Sequence, residues 1–302
     1  MLNRLKSTSS GPDELPFWFL KILAPSICKP LSFLFNLSIF SSTVPTQWKQ
    51  AVISPIPKIA SPSVCSDFRP ISLTPIVSRM LEKLIVRNYI YPAISTPVVY
   101  DNFADQFAYR PTGSTEAALI SILHHATILL RTHEYARVIA LDFSKAFDTI
   151  RHSTVAEKLA VLPLPDEIYN WFIDRFDGHK HTTKFQGDMS NELFINASVF
   201  QDSAIGPALF ALASTDLKPV YSDNYIDKYA DDSYLIVGAD NDFTVTQELK
   251  SIDEWAERNN MKLNRSKTTE IVFHRSPKIA NPPQNVGIGR VDGITILGVT
   301  FD

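Results

Sequence analysis

Three acidic side chains stand where they could do chemistry. Asp142 closes the apolar run Arg137-Val138-Ile139-Ala140-Leu141, and Asp231 and Asp232 sit side by side between the strand-like runs Tyr225 to Tyr229 and Tyr234 to Val237. Carboxylates at strand ends and hairpin tips are hard oxygen donors on rigid supports. That suits Mg²⁺, which takes one or two carboxylates and completes its shell with water and substrate phosphates. Two such ions about 4 Å apart clamp an in-line phosphoryl displacement, one at the attacking hydroxyl and one at the leaving group. The chemistry needs positioning and charge rather than a protein nucleophile, so a Ser–His or Cys–His arrangement is not required. An aspartate pair in a turn also serves ordinary turn geometry, and an acid after a strand also caps a following helix. The spacing alone leaves these readings open.

The elements that must position the acids follow from periodicity. Ser114 to Leu130 reads as a helix, capped within Thr112 to Ser114 and apolar at Ala118, Leu119, Ile122, Leu123, Ala126, Leu129 and Leu130. The run 137–142 is a short buried strand, and Asn224 to Val237 a hairpin with the acid pair at its tip. Helices are expected over Asp166 to Phe176 and Thr244 to Asn259, and a hairpin within Lys184 to Val199 turning at Gly187-Asp188. Closing strands are expected at Thr268 to Phe273 and Ile294 to Phe301. Upstream, Ser54-Pro55-Ile56-Pro57-Lys58 reads as an extended edge or turn, because proline removes ladder donors, and 61–66 as a loop. Strands and helices mix irregularly, without repeats, which points to an α+β class.

A chain of 302 residues, 45% hydrophobic and 20% charged, can bury a substantial core and is not disordered. The net charge of −3 counts against a nucleic-acid partner, which usually demands a basic face, although an acidic metal site adds negative charge of its own. Two cysteines, Cys28 and Cys65, fit a reducing, intracellular compartment. Leu15 to Phe40 is apolar, but Lys21, Lys29, Pro16, Pro25 and Pro30 interrupt it, so it reads as buried helices joined by proline turns and not as a membrane span. His124 and His125 have no partner at metal-ligand spacing. His179 and His181 flank Lys180 in an expected loop that could touch phosphates.

Tyr229-Ala230-Asp231-Asp232 is similar to the signature tetrapeptide of reverse transcriptases, and the motifs around it keep that family's order. Asp67-Phe68-Arg69-Pro70-Ile71-Ser72-Leu73 resembles a fingers motif, and Ala140 to Asp148 the first palm motif. Gln201 with Gly206-Pro207-Ala208-Leu209-Phe210 resembles the second, Leu263-Asn264 with Lys267-Thr268 the motif after the aspartate pair, and Leu297-Gly298 the start of the grip. The closest likeness is to non-LTR (LINE-type) retrotransposon enzymes.

The resemblance implies a right-hand polymerase fold, with fingers and an N-terminal extension over 1–135 and a palm with an antiparallel sheet over 136–302, stopping where a thumb would begin. It implies an RNA-directed DNA polymerase adding deoxynucleoside triphosphates to a DNA primer on an RNA template, with two Mg²⁺ ions held by Asp142, Asp231 and Asp232. By the same resemblance Phe147 is the steric gate against a 2′-hydroxyl, and Phe143 lies beside it in the substrate site. Lys58 and Arg69 grip the triphosphate, Gln201 supports the nucleotide and the templating base, and Lys267 protonates the departing pyrophosphate. Two features depart from the pattern. Asp202 stands where the family has glycine after Gln201, adding bulk and charge beside an anionic triphosphate. Ser9 to Asp13 resembles an internal segment of a longer polymerase, so a truncated copy is expected. The alternative reading is a catalytically inactive remnant that keeps the palm fold.

Overall fold

The computed structural model describes residues 1–199 and 203–302, apart from the side chain of Val98. Its strands, in chain order, are β1 (Gln50–Pro57), β2 (Phe68–Leu73), β3 (Tyr135–Leu141), β4 (Lys180–Phe185), β5 (Asp188–Met189), β6 (Leu193–Phe194), β7 (Tyr225–Tyr229), β8 (Asp232–Gly238), β9 (Thr269–His274), β10 (Gly289–Arg290), β11 (Ile294–Ile296) and β12 (Val299–Phe301). The chain forms two compact units, 1–96 with 151–209, and 97–150 with 210–302. The units therefore divide the chain elsewhere than at residue 135, because segment 151–209 folds with the N-terminal residues.

The first unit is built on a sheet of order β2-β1-β4-β5, with β6 on β4. β1 pairs antiparallel with β2 along its length, while its parallel pairing with β4 stops at Ile53↔Thr183. The proline-bearing half is thus free on one side, and Pro55 faces Pro70 across the ladder. That is where residues without a backbone N–H can sit in a sheet. Leu15 to Phe40 forms helices Phe17–Ile22 and Ala24–Phe40, the second running through Pro30. Here the expectation of buried helices needs correcting: Leu20, Ala24, Leu31 and Phe35 face inward, but Phe33 and Phe40 are exposed.

A buried ionic network lies at the centre of this unit. Arg175 and Glu82 are both fully buried and paired at 3.3 Å. Glu82 also accepts from Ser78 Oγ at 3.3 Å and from the Ala204 N–H at 3.1 Å. Arg175 donates to His179 Nδ1 at 3.0 Å, and His179 Nε2 lies 2.7 Å from His181 Nε2. His179 and His181 are therefore not a loop cluster for phosphates. His181 lies in β4, His179 immediately precedes it, and burial followed by the Arg175 charge holds both imidazoles neutral.

The second unit carries the sheet β10-β9-β3-β8-β7. β3 pairs antiparallel with β8 and β9, in the register Val138↔Ile236 and Val138↔Ile271. Helix Thr115–Thr132, capped by Ser114 Oγ accepting from the Ala117 N–H, lays Ile122, Ala126 and Leu129 on Ala136, Val138, Ile236 and Ile271. Burying side chains of this size stabilises by about 1.5–3 kcal/mol each, and β3 is apolar from Val138 to Leu141 accordingly, while its buried Arg137 is paired with Asp242 and Glu270. Ile294 to Phe301 is not one strand of this sheet but its own hairpin, β11–β12, turning at Leu297-Gly298 with φ of +47° and +87°.

Candidate active site

The acids sit at one end of the second unit's sheet. Leu141 is the last residue of β3 and pairs with Ser233. Asp142 follows directly where that pairing ends, and its charge reaches Asp232. The backbone of Asp142 is held from both sides: its N–H donates to Thr268 Oγ1 at 3.3 Å, and its carbonyl accepts from the Asn264 N–H at 2.7 Å. Thr268 is fully buried and its hydroxyl donates onward to the Asn264 carbonyl at 3.0 Å. The motif Leu263-Asn264…Lys267-Thr268 thus acts on the site by fixing the strand-end acid.

β7 and β8 close with the pair Tyr229↔Asp232, leaving a two-residue turn of Ala230 and Asp231. Ala230 is buried and left-handed at φ +58°. A non-glycine residue there carries strain of order 1 kcal/mol and persists only where its surroundings enforce it.

The three carboxylates share one electrostatic field. Asp232 is pushed up to about 6, first by partial burial and then by the charges of Asp231 and Asp142. Burial, Asp231, Tyr229 and Asp232 raise the Tyr109 hydroxyl as well, so this tyrosine stands within reach of the acid turn. Tyr109 meets Phe147 edge-on at 6.4 Å, and Phe147 stacks on Phe210 at 4.3 Å. Among the described residues no group of three His, Cys, Asp or Glu side chains stands at metal-holding spacing. The acids form a shared field rather than a complete cage. A magnesium site in which substrate phosphates and water complete the shell asks no more of the protein.

The other residues singled out in the sequence fall in several places. Lys267 is exposed, one residue before Thr268. Phe143 is buried with its ring edge-on to Trp255 at 5.8 Å, so a contribution to substrate can come only from its backbone. Lys58 and Arg69 are exposed on the first unit's sheet, where Lys58 Nζ donates to the Ser66 carbonyl at 3.1 Å and Arg69 pairs with Ile56. Gln201 and Asp202 lie outside the described residues. His125 is half-buried, bonded to Asp227 at 2.9 Å and stacked on Tyr225. In the sequence Thr268 is only one letter of a motif, and Tyr109 belongs to none of the motifs named above. The one signal for Tyr109 was an aromatic residue shortly before a strong helix cap.

An antiparallel sheet that brings a strand-end acid against an acidic hairpin turn is the palm of a template-directed polymerase. The family model described as reverse transcriptase (RNA-dependent DNA polymerase) matches residues 56–301, and the chain belongs to that family, which generally uses divalent metals. It is 25% identical over a 315-residue alignment to the probable RNA-directed DNA polymerase from transposon X-element of Drosophila melanogaster, covering 100% of this chain and 34% of that protein. It is 26% identical to the RNA-directed DNA polymerase from mobile element jockey of the same species, covering 87% and 30%. These relatives are consistent with a LINE-type enzyme, and the chain spans about a third of their length. Among solved structures, apo telomerase from Candida tropicalis truncated from its C-terminal domain superposes with a TM-score of 0.58 at 14% identity, over 92% of this chain and 58% of that one. Telomerase of that species in complex with a fragment of telomeric RNA gives 0.53 at 14% identity, over 82% and 45%. Both likenesses are of fold. No helix among the described residues is long and apolar enough to cross a membrane.

Proposed function

We infer that this chain is the catalytic core of an RNA-directed DNA polymerase that extends a DNA primer with deoxynucleoside triphosphates on an RNA template. The observation that carries this reading is the shared field of Asp142, Asp231 and Asp232 at the strand end and hairpin turn, in a chain of the reverse transcriptase family. Three carboxylates in one field suit a hard cation, and their oxygen donors fit a pair of Mg²⁺ ions. Such ions, when bound, lower the cost of the primer hydroxylate and of charge on the leaving pyrophosphate.

The chain's own residues do the rest. Asp142, Asp231 and Asp232 would hold the ions. Phe147, supported by Phe210 and Tyr109, walls the sugar position and disfavours a 2′-hydroxyl. Lys58 and Arg69 take triphosphate charge, Arg by its forked donors and Lys as a point charge. Gln201 supports the base pair, and Lys267 delivers a proton to pyrophosphate.

The reading is tested by Mg²⁺-dependent primer extension on an RNA template, the parent against Asp231→Asn. Activity that survives Asp231→Asn undiminished removes the metal assignment. Products that depend on the added primer–template and on deoxynucleotides, and vanish in Asp231→Asn, support it.

A further inference from the structure

The acid turn begins at Ala230, with φ +58°. Alanine has no preference of its own for that region, so something outside the turn must hold it there. The segment Asp105–Phe107 runs beside the edge strand β7. The Lys228 N–H donates to the Asp105 carbonyl at 2.7 Å, and the Phe107 N–H to the Lys228 carbonyl at 2.8 Å, setting Gln106 opposite Lys228. The buried Lys228 ammonium locks this pairing by donating to the Ser214 and Leu217 carbonyls at 2.8 and 2.9 Å and pairing with Asp105 at 3.1 Å.

From that anchorage the fully buried side chain of Gln106 reaches the turn. Its Oε1 accepts from the Ala230 N–H at 3.1 Å and the Ala108 N–H at 3.0 Å. Its Nε2 donates to the Ala230 carbonyl at 3.4 Å and to Ser214 Oγ at 3.2 Å. Both backbone polar groups of Ala230 therefore end on one amide, and that amide uses its full hydrogen-bonding capacity. Its orientation is fixed as well, since turning it over would aim its NH₂ at two backbone N–H donors.

We propose that Gln106 is a positioning residue of the active site: its amide holds Ala230 in the left-handed turn and so sets where the Asp231 and Asp232 carboxylates stand. The catalytic meaning rests on the polymerase reading above, while the hold on the turn does not. Gln106→Met keeps length and volume but offers neither a donor nor an acceptor, leaving three backbone groups, the Ala230 N–H and carbonyl and the Ala108 N–H, without the partner they have in the fold. Supporting groups of this kind change metal affinity or activity by about 10- to 100-fold when removed.

The test uses the full chain. In Gln106→Met the Ala230 amide is expected to exchange its hydrogen at least about tenfold faster, while the β3–β8 ladder keeps its protection. Mn²⁺ binding, read from the free-ion paramagnetic signal, weakens about tenfold. In primer extension kcat falls, with KM for the deoxynucleotide moving far less. Adding Ala230→Gly recovers most of the loss, because glycine takes this φ without steric cost. Gln106→Asn, small and polar enough to keep the fold, withdraws the amide by one methylene and gives the same pattern. Unchanged exchange at Ala230 overturns the proposal, as does exchange that rises equally throughout the sheet, or a loss that Ala230→Gly leaves in place. Should the parent neither bind Mn²⁺ nor extend a primer while Ala230 exchange responds as stated, the polymerase reading fails and the brace stands.

Discussion

The raised pKa of Asp232, set first by partial burial and then by the charges of Asp231 and Asp142, makes a prediction about the acid cluster. Asp232 is pushed up from 3.8 to about 6, so folding costs free energy whenever this group must be ionised. A shift of roughly two units corresponds to at most about 3 kcal/mol. Because the side chain is exposed to solvent, screening reduces this to about 1 kcal/mol. The sign is fixed by linkage: a carboxyl with a raised folded-state pKa binds protons more tightly when folded, so its penalty is full above about pH 6 and disappears as the pH falls toward 4. Asp232→Asn removes the charge. In EDTA at pH 7.5 it should therefore raise Tm, by about 2–4 °C for units of this size, and the gain should close by pH 4.5. With millimolar Mg²⁺ the order should reverse, because only the parent gains from ion binding. Thermal melts of the two proteins over this pH and Mg²⁺ grid decide the matter. If Asp232→Asn lowers Tm in EDTA at pH 7.5, the fold does not disfavour the ionised Asp232 carboxylate and the case for a cation site fails.

Three further outcomes are expected. Glu82→Leu strands the fully buried Arg175 guanidinium and should cost about 3–5 kcal/mol in urea unfolding of the first unit, with Arg175→Met in the same chain recovering much of it; full additivity of the two losses would show that the pair is not coupled. His152 and His181 are both held down to about 4, chiefly by burial and then by Arg175. Their folded pKa values lie below the unfolded 6.5, so stability present above pH 6.5 should be lost as pH falls toward 4, by up to roughly 3 kcal/mol; a first unit equally stable at pH 7 and pH 4.5 would refute the neutral network. Finally, Asp202→Gly removes a carboxylate expected beside the triphosphate and should lower KM for the deoxynucleotide at least about tenfold, and an unchanged KM in steady-state extension would show that residue 202 lies away from the nucleotide.

What could be read from the sequence is what local spacing determines. Asp142 at the end of β3 and the acid pair at the β7–β8 turn follow from apolar runs with a period a single strand imposes, and Ser114 announces its helix by chemistry within one turn. Most of the differences arise from non-local contacts. His179 and His181 flank a lysine, as phosphate-touching residues do, and only the arrival of Arg175 and Glu82, the latter 93 residues from Arg175, makes them core. Gln106 meets Ala230 across 124 residues, and neither has a neighbour in sequence that hints at the other. Ile294 to Phe301 differs by a local feature: its residues suit a single strand, but the positive φ that Gly298 permits turns it into a hairpin.

The site divides into groups that carry charge and groups that hold them, and the two should respond oppositely to substitution. Asp231 and Asp232 are exposed and repel each other and Asp142, so neutralising one relieves the fold while removing its chemistry. Thr268 and Gln106 are fully buried, and their hydrogen bonds hold the backbone around those acids, while the fully buried Lys228 anchors the segment that carries Gln106. Replacing one of them leaves a partner without water or protein to satisfy it, at about 1–3 kcal/mol. The cost of arranging like charges is thus met by polar contacts that cannot be exchanged for apolar ones, and Thr268 and Gln106 make them from 126 and 124 residues away, each anchored outside the strand end or turn that it holds.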